Sequence, residues 1–206
     1  MIGIVNYQRG NLNNVYRAFT SFGFETEITD SPENLERYNG LVLPGVGAFQ
    51  DAMETLKKTG FDTAIKNYIQ SGRPFMGICL GLQLLFEESL EFGKTKGLGV
   101  LKGKVVPFQI SLKVPHMGWN QIRFSKPSRF IQSDLNGESF YFVHSYFVVP
   151  EEKEIILSTT SYEIDFVSSI EKDNVFACQF HPEKSQKKGL KMIKNFGDAC
   201  ARYTSH

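Results

Sequence analysis

The sequence predicts an α/β fold, with a central, mostly parallel (mixed) sheet flanked by helices and an added region of antiparallel strands. Three observations carry this. Short apolar runs alternate with helix-period segments through the first half, short strands and turns take over from Gly97, and one amphipathic segment closes the chain. At 206 residues, 41% hydrophobic and 22% charged, the chain can bury one sizeable core but not two, so residues 1–206 are expected to form a single domain.

Residues 2–5 form a buried-strand type of run, and from Asn11 the apolar positions Leu12, Val15, Tyr16, Phe19 and Phe22 recur at three and four until Gly23. Residues 24–29 alternate as a second strand, and Ser31-Pro32-Glu33 has the form of an N-cap with proline at the first helical position. Leu41-Val42-Leu43 predicts a third strand that ends in Pro44-Gly45-Val46-Gly47, followed by helical patterning through Ile69 and a stop at Ser71-Gly72. Residues 74–78 predict a fourth strand running into a helix over 79–86. Such βα alternation implies parallel strands covered on both faces. Strands are then expected over 100–106, 120–124, 139–143, 154–160, 164–170 and 175–180, before a last helix from Ser185 with Leu190, Ile193 and Phe196 on one side.

Charge and composition narrow the function. The 23 basic and 22 acidic residues nearly cancel, so no global field draws the chain to nucleic acid or to an anionic membrane. No apolar run approaches the roughly 18 residues of a membrane span, and the first residues lack a basic leader. Three cysteines, Cys79, Cys178 and Cys200, leave one unpaired in any disulfide scheme and none is spaced as a metal pair, which fits a reducing cytoplasm.

The chemistry concentrates at Gly77-Ile78-Cys79-Leu80-Gly81, where the fourth strand turns into a helix in the manner of a nucleophile elbow. A tight turn strains the nucleophile's backbone and leaves no room for side chains two residues either way. A helix N-terminus favours thiolate, and the Leu80 N–H would face a developing oxyanion. Chance alone would flank one of three cysteines with glycines in this way in only about 2% of such chains. Cys178, in an apolar strand, and Cys200, on the last helix, read as packing residues.

A thiol nucleophile needs an imidazole and a group to orient it. His181-Pro182-Glu183 supplies both, since in an extended segment residues i and i+2 point the same way. His116 and His144 have no such neighbour and are read as either site-lining or structural; His206 ends the chain and is set aside. A zinc site drawn from these groups is disfavoured, because no pair has His-x-x-x-His or Cys-x-x-Cys spacing.

Gly77-Ile78-Cys79-Leu80-Gly81-Leu82-Gln83 together with His181-Pro182-Glu183 resembles the class I (triad) glutamine amidotransferases. Within them, Pro44 to Gly47, Pro115-His116-Met117-Gly118-Trp119-Asn120, Phe142 to Tyr146 and Gln179 to Lys184 are similar to the glutaminase subunits of imidazole glycerol phosphate synthases, almost end to end. The resemblance implies a flavodoxin-like amidotransferase fold with Cys79 as nucleophile, His181 as base then acid and Glu183 as orienter. It implies glutamine contacts at Gln83, Glu91, Ser145 and Tyr146, and an oxyanion strand at Gly45, Val46 and Gly47. It implies no metal or organic cofactor, L-glutamine as substrate, and a heterodimer with a (β/α)₈ cyclase subunit that receives the ammonia. Trp119 and Lys184 are the partner-facing candidates, Lys184 by its place beside Glu183. One departure stands out: the family's first strand commonly ends in Asp-Tyr-Gly, and this one ends in Asn6-Tyr7-Gln8.

Other readings share the elbow. A paralogue could feed ammonia to a sugar-modifying synthetase for surface polysaccharide, and needs the same triad. A non-catalytic module would be free to lose Cys79, His181 or Glu183, and a peptide or ester hydrolase would need no partner.

Overall fold

The computed structural model describes residues 1–8 and 10–203, so His206 and Arg9 lie outside the described residues. In chain order the elements are β1 (Ile2–Val5), α1 (Leu12–Thr20), β2 (Thr26–Thr29), β3 (Gly40–Gly45), α2 (Phe49–Thr59), α3 (Phe61–Gln70), β4 (Phe75–Cys79) and α4 (Leu80–Leu84). They continue as β5 (Phe86–Ser89), β6 (Thr95–Lys96), β7 (Leu101–Pro107), β8 (His116–Gln121), β9 (Arg123–Phe124), β10 (Ser139–His144) and β11 (Tyr146–Pro150). The last are β12 (Ile156–Tyr162), β13 (Ile164–Lys172), β14 (Val175–Cys178) and α5 (Gln186–Arg202).

An eight-stranded sheet in the order β2-β1-β3-β4-β14-β13-β12-β9 forms the centre. Its first five strands run parallel and its last three antiparallel. The parallel strands are apolar on both sides because both sides are covered. Leu41, Leu43 and Phe75 pack with Met53, Leu56 and Ile65 of α2 and α3, whereas Ile4, Val42 and Met76 pack with Phe19 of α1 and Ile193 and Phe196 of α5. This is the doubly wound arrangement that βα alternation calls for, and it leaves the carboxyl ends of the parallel strands as the natural place for a site. A four-stranded sheet, β11-β7-β5-β6, and a two-stranded ribbon, β10-β8, are added beside it.

Several sequence expectations are corrected. No regular helix starts at Ser31: the link from β2 to β3 holds only a 3-10 turn, Leu35–Arg37, after Asn34 takes a left-handed conformation at φ 57°. So short a crossing has no room for more, and Leu35 and Tyr38 bury what the helix would have covered. The helical run before Ser71 is two helices, broken at Gly60, whose φ of 79° suits glycine. Helix α4 stops at Leu84, because Phe86 opens β5 and pairs with Leu101 of β7. Strands β5, β6 and β11 were not expected from pattern. The strand expected over 120–124 begins at His116 and breaks at Ile122, and that over 154–160 is preceded by a 3-10 turn, Lys153–Ile155. The Asn6-Tyr7-Gln8 departure places Gln8 at φ 65°, with Asn6 Oδ1 accepting its N–H at 3.0 Å.

Candidate active site

Cys79 ends β4 and caps α4 with φ 55° and ψ −107°, a backbone conformation that L residues rarely adopt. The neighbouring chain forces it there. A Cβ on Gly81 would lie 1.9 Å from the Leu43 carbonyl oxygen, and one on Gly77 would lie 2.9 Å from the Gly81 carbonyl oxygen. The elbow glycines are therefore required by close backbone approach between β3, β4 and α4. Gly45 pairs with Cys79 across β3 and β4, so the 45–47 segment enters the site beside the thiol; Val46 is 41% exposed and Gly47 has φ 101°.

His181 follows β14, the strand next to β4, which brings it to Cys79 from distant sequence. His181 Nδ1 lies 2.8 Å from Glu183 Oε1, with both side chains buried. The expected contact forms, but not by an extended run: Pro182–Lys184 is a 3-10 turn that curls Glu183 back under the ring, with Lys184 N–H donating to the His181 carbonyl at 3.0 Å. Burial opposes a charge on His181, yet neighbouring Cys79 and then Glu183 outweigh burial and raise its pKa to about 10. The environment thus favours the protonated ring beside the Cys79 sulfur.

Gln179, which sequence reasoning gave no role, is fully buried, and its Nε2 lies 3.6 Å from Cys79 Sγ. Gln83 Nε2 donates to Gln179 Oε1 at 3.1 Å and to the Tyr146 carbonyl at 3.0 Å, which links Gln83 and Tyr146 through Gln179 to Cys79. Glu91 accepts the Phe49 N–H at 2.6 Å and so caps α2, which has no side-chain cap of its own. Tyr146 has its phenol pushed up by burial and by the charge of Glu91. Ser145 is half-buried, and its carbonyl accepts the Phe108 N–H at 3.1 Å.

The partner-facing candidates meet on one ring. The Trp119 and Tyr141 rings are 6.2 Å apart, and Lys184 Nζ sits 6.0 Å over Tyr141. With Met117 (59% exposed) and Trp119 (50% exposed) they form an apolar patch on the outward face of the β8–β10 ribbon. Cys178 and Cys200 are buried, and burial pushes both thiols up, in keeping with packing roles.

His116 and His144, left open between two readings, pair with each other inside the ribbon, with His116 Nδ1 2.9 Å from His144 Nε2. Burial lowers their pKa values from 6.5 to about 4 and about 3. Between pH 6.5 and these values the unfolded chain takes up protons that the folded one excludes, so stability falls on acidification through that window. His181 acts with the opposite sign: its contribution is full below pH 6.5 and is lost as pH rises toward about 10. The thermal midpoint should therefore fall by several degrees as pH is lowered from about 7 to about 4.5. A flat midpoint over that range would contradict the buried neutral pair.

The family described as "Glutamine amidotransferase class-I" matches residues 4–200. A relative named "Imidazole glycerol phosphate synthase subunit HisH" from Syntrophotalea carbinolica is 50% identical over 205 residues, covering 96% of this chain and 100% of that one. A relative of the same name from Aquifex aeolicus is 48% identical, covering 98% of each. Among solved structures, PurLQS from Thermotoga maritima superposes with a TM-score of 0.74 at 20% identity, covering 98% of this chain and 97% of that one, a likeness of fold. Family match and half-identical relatives agree along nearly the whole length, and this chain belongs to the class-I glutamine amidotransferases, in the branch of the HisH subunits of imidazole glycerol phosphate synthase.

Proposed function

We propose that this chain is the glutaminase subunit of an imidazole glycerol phosphate synthase, hydrolysing L-glutamine to glutamate and ammonia and passing the ammonia to a cyclase subunit in histidine biosynthesis. The observation that carries the reading is the strained thiol of Cys79 beside a buried imidazole that Glu183 holds by its other nitrogen. The thiolate attacks the glutamine δ-carbonyl, and the Leu80 N–H and an N–H of the 45–47 segment receive the oxyanion. His181 gives its proton to the leaving ammonia, then takes one from the water that cleaves the γ-glutamyl thioester, and Glu183 fixes its tautomer throughout.

Ammonia that escapes into water is protonated and loses its nucleophilicity, so a donor subunit must seal against its acceptor. The patch of Met117, Trp119, Tyr141 and Lys184 is the surface we assign to that (β/α)₈ partner in a heterodimer, working in the cytoplasm. The names of the relatives favour this reading over delivery to a sugar-modifying synthetase. Glutamate release should be slow from the chain alone and rise on adding the cyclase with its phosphoribosyl-formimino aminoimidazole carboxamide nucleotide. Unchanged glutamate release on their addition, or partner-free turnover of peptides or esters, would overturn the assignment.

A further inference from the structure

A continuous hydrogen-bonded chain runs from the inner face of the β8–β10 ribbon to the nucleophile, and its proton polarity is fixed at both ends. At the outer end, the Asn120 amide is locked by the backbone, since Oδ1 accepts the Gln121 N–H at 2.8 Å and Nδ2 donates to the Ser161 carbonyl at 2.9 Å. The same Nδ2 lies 3.2 Å from His116 Nε2, which must therefore be an acceptor. At the inner end, the Tyr146 carbonyl can only accept, so His144 Nδ1, 2.8 Å away, must carry a hydrogen. His144 Nε2 is left as a lone pair for the His116 Nδ1–H at 2.9 Å. Only one arrangement satisfies every contact: both rings neutral and both in the Nδ1–H tautomer. A proton added to either ring would set hydrogen against hydrogen.

We propose that His144, held in a single tautomer by His116, is a positioning residue that sets Gln83 and Gln179 against Cys79, and that the pair couples the outward face of the ribbon to the nucleophile. The Tyr146 carbonyl is the shared point. It accepts from His144 and from Gln83 Nε2, Gln83 meets Gln179 Oε1 at 3.1 Å, and Gln179 Nε2 reaches Cys79 Sγ at 3.6 Å. Strand alternation supplies the coupling. His116, Gly118 and Asn120 face inward while Met117 and Trp119 face outward, so one short strand carries both the outer patch and the inner pair. The groups packed on the pair are otherwise apolar or neutral: Phe108, Phe142 and Phe166, with Tyr162 stacked 4.1 Å from His116. The charge of His181 also acts on His144. Burial and that charge both favour the neutral ring.

The inference rests on the glutaminase reading for its reaction, and its test has one arm that does not. Imidazole 15N–1H correlation spectra of the unmodified protein should show His116 and His144 as Nδ1–H tautomers that stay neutral from about pH 8 to about pH 5. A ring that is Nε2–H, or that titrates near 6.5, overturns the proposal whether or not the protein turns over glutamine. The second arm is steady-state glutamate release in complex with the cyclase. His144→Asn keeps a donor where Nδ1 stands and should retain activity within about threefold, whereas His144→Phe keeps the ring without the donor and should lose at least about tenfold in kcat/KM. Equal loss in both variants, or loss in neither, refutes a positioning role. An inactive parent complex sinks the glutaminase reading instead, and leaves the spectra to judge the relay.

Discussion

Cys79→Ala is expected to lower glutamate release in the cyclase complex by at least about 10⁴-fold, because it removes the thiol on which the acyl intermediate would form. Gln179 is an amide, and Cys178, the nearest other thiol, is fully buried with its pKa pushed well up by burial. A second substitution separates chemistry from architecture. Cys79 holds φ 55°, a conformation that costs about 1–3 kcal/mol for a side chain other than glycine. Cys79→Gly should therefore be as inactive as the alanine variant yet melt higher than it, by roughly 2–4 °C. Residual turnover above about 1% of the parent would refute Cys79 as nucleophile, and a glycine variant no more stable than the alanine one would remove the strain from the account.

The largest stability effect is expected at Gly81. An added methyl would sit 1.9 Å from the Leu43 carbonyl oxygen and 3.0 Å from its carbon, both backbone atoms of a central strand. Neither can yield without moving β3 or lifting α4 off the sheet. Gly81→Ala should cost at least about 3 kcal/mol and sharply reduce soluble protein. Gly23→Ala is the control, since Gly23 has φ 80° with nothing within 4 Å, and should cost only about 1 kcal/mol. Urea midpoints of the two variants decide it: Gly81 has ordinary helical backbone, so a loss there no larger than at Gly23 would mean that the approach of β3 to α4 is not what makes the elbow need glycine.

Legibility in sequence followed the range of each interaction. The elbow could be read because its constraint is local, two glycines at fixed distance from Cys79, and so could His181 with Glu183, two residues apart. Even there the mechanism of contact differed, since a 3-10 turn replaced the extended segment. The parallel strands announced themselves through continuous apolar runs, because both faces are buried. Strand β11 did not, because its partner β7 is some forty residues away and its pattern of half-buried positions is weak. Gln179 was silent for a related reason. It sits between apolar Cys178 and Phe180, and only the fold brings it to residue 79. His116 and His144 become a pair only through the register that sets them opposite each other in β8 and β10.

The place of β14 in the sheet has a consequence for how the molecule is made. It inserts between β4 and β13, so the strand that delivers His181 is the last to arrive and closes a loop of roughly a hundred residues. A nascent chain emerging from the ribosome therefore carries its thiol long before it carries the imidazole that arms it. The antiparallel half must be synthesised before the two can meet.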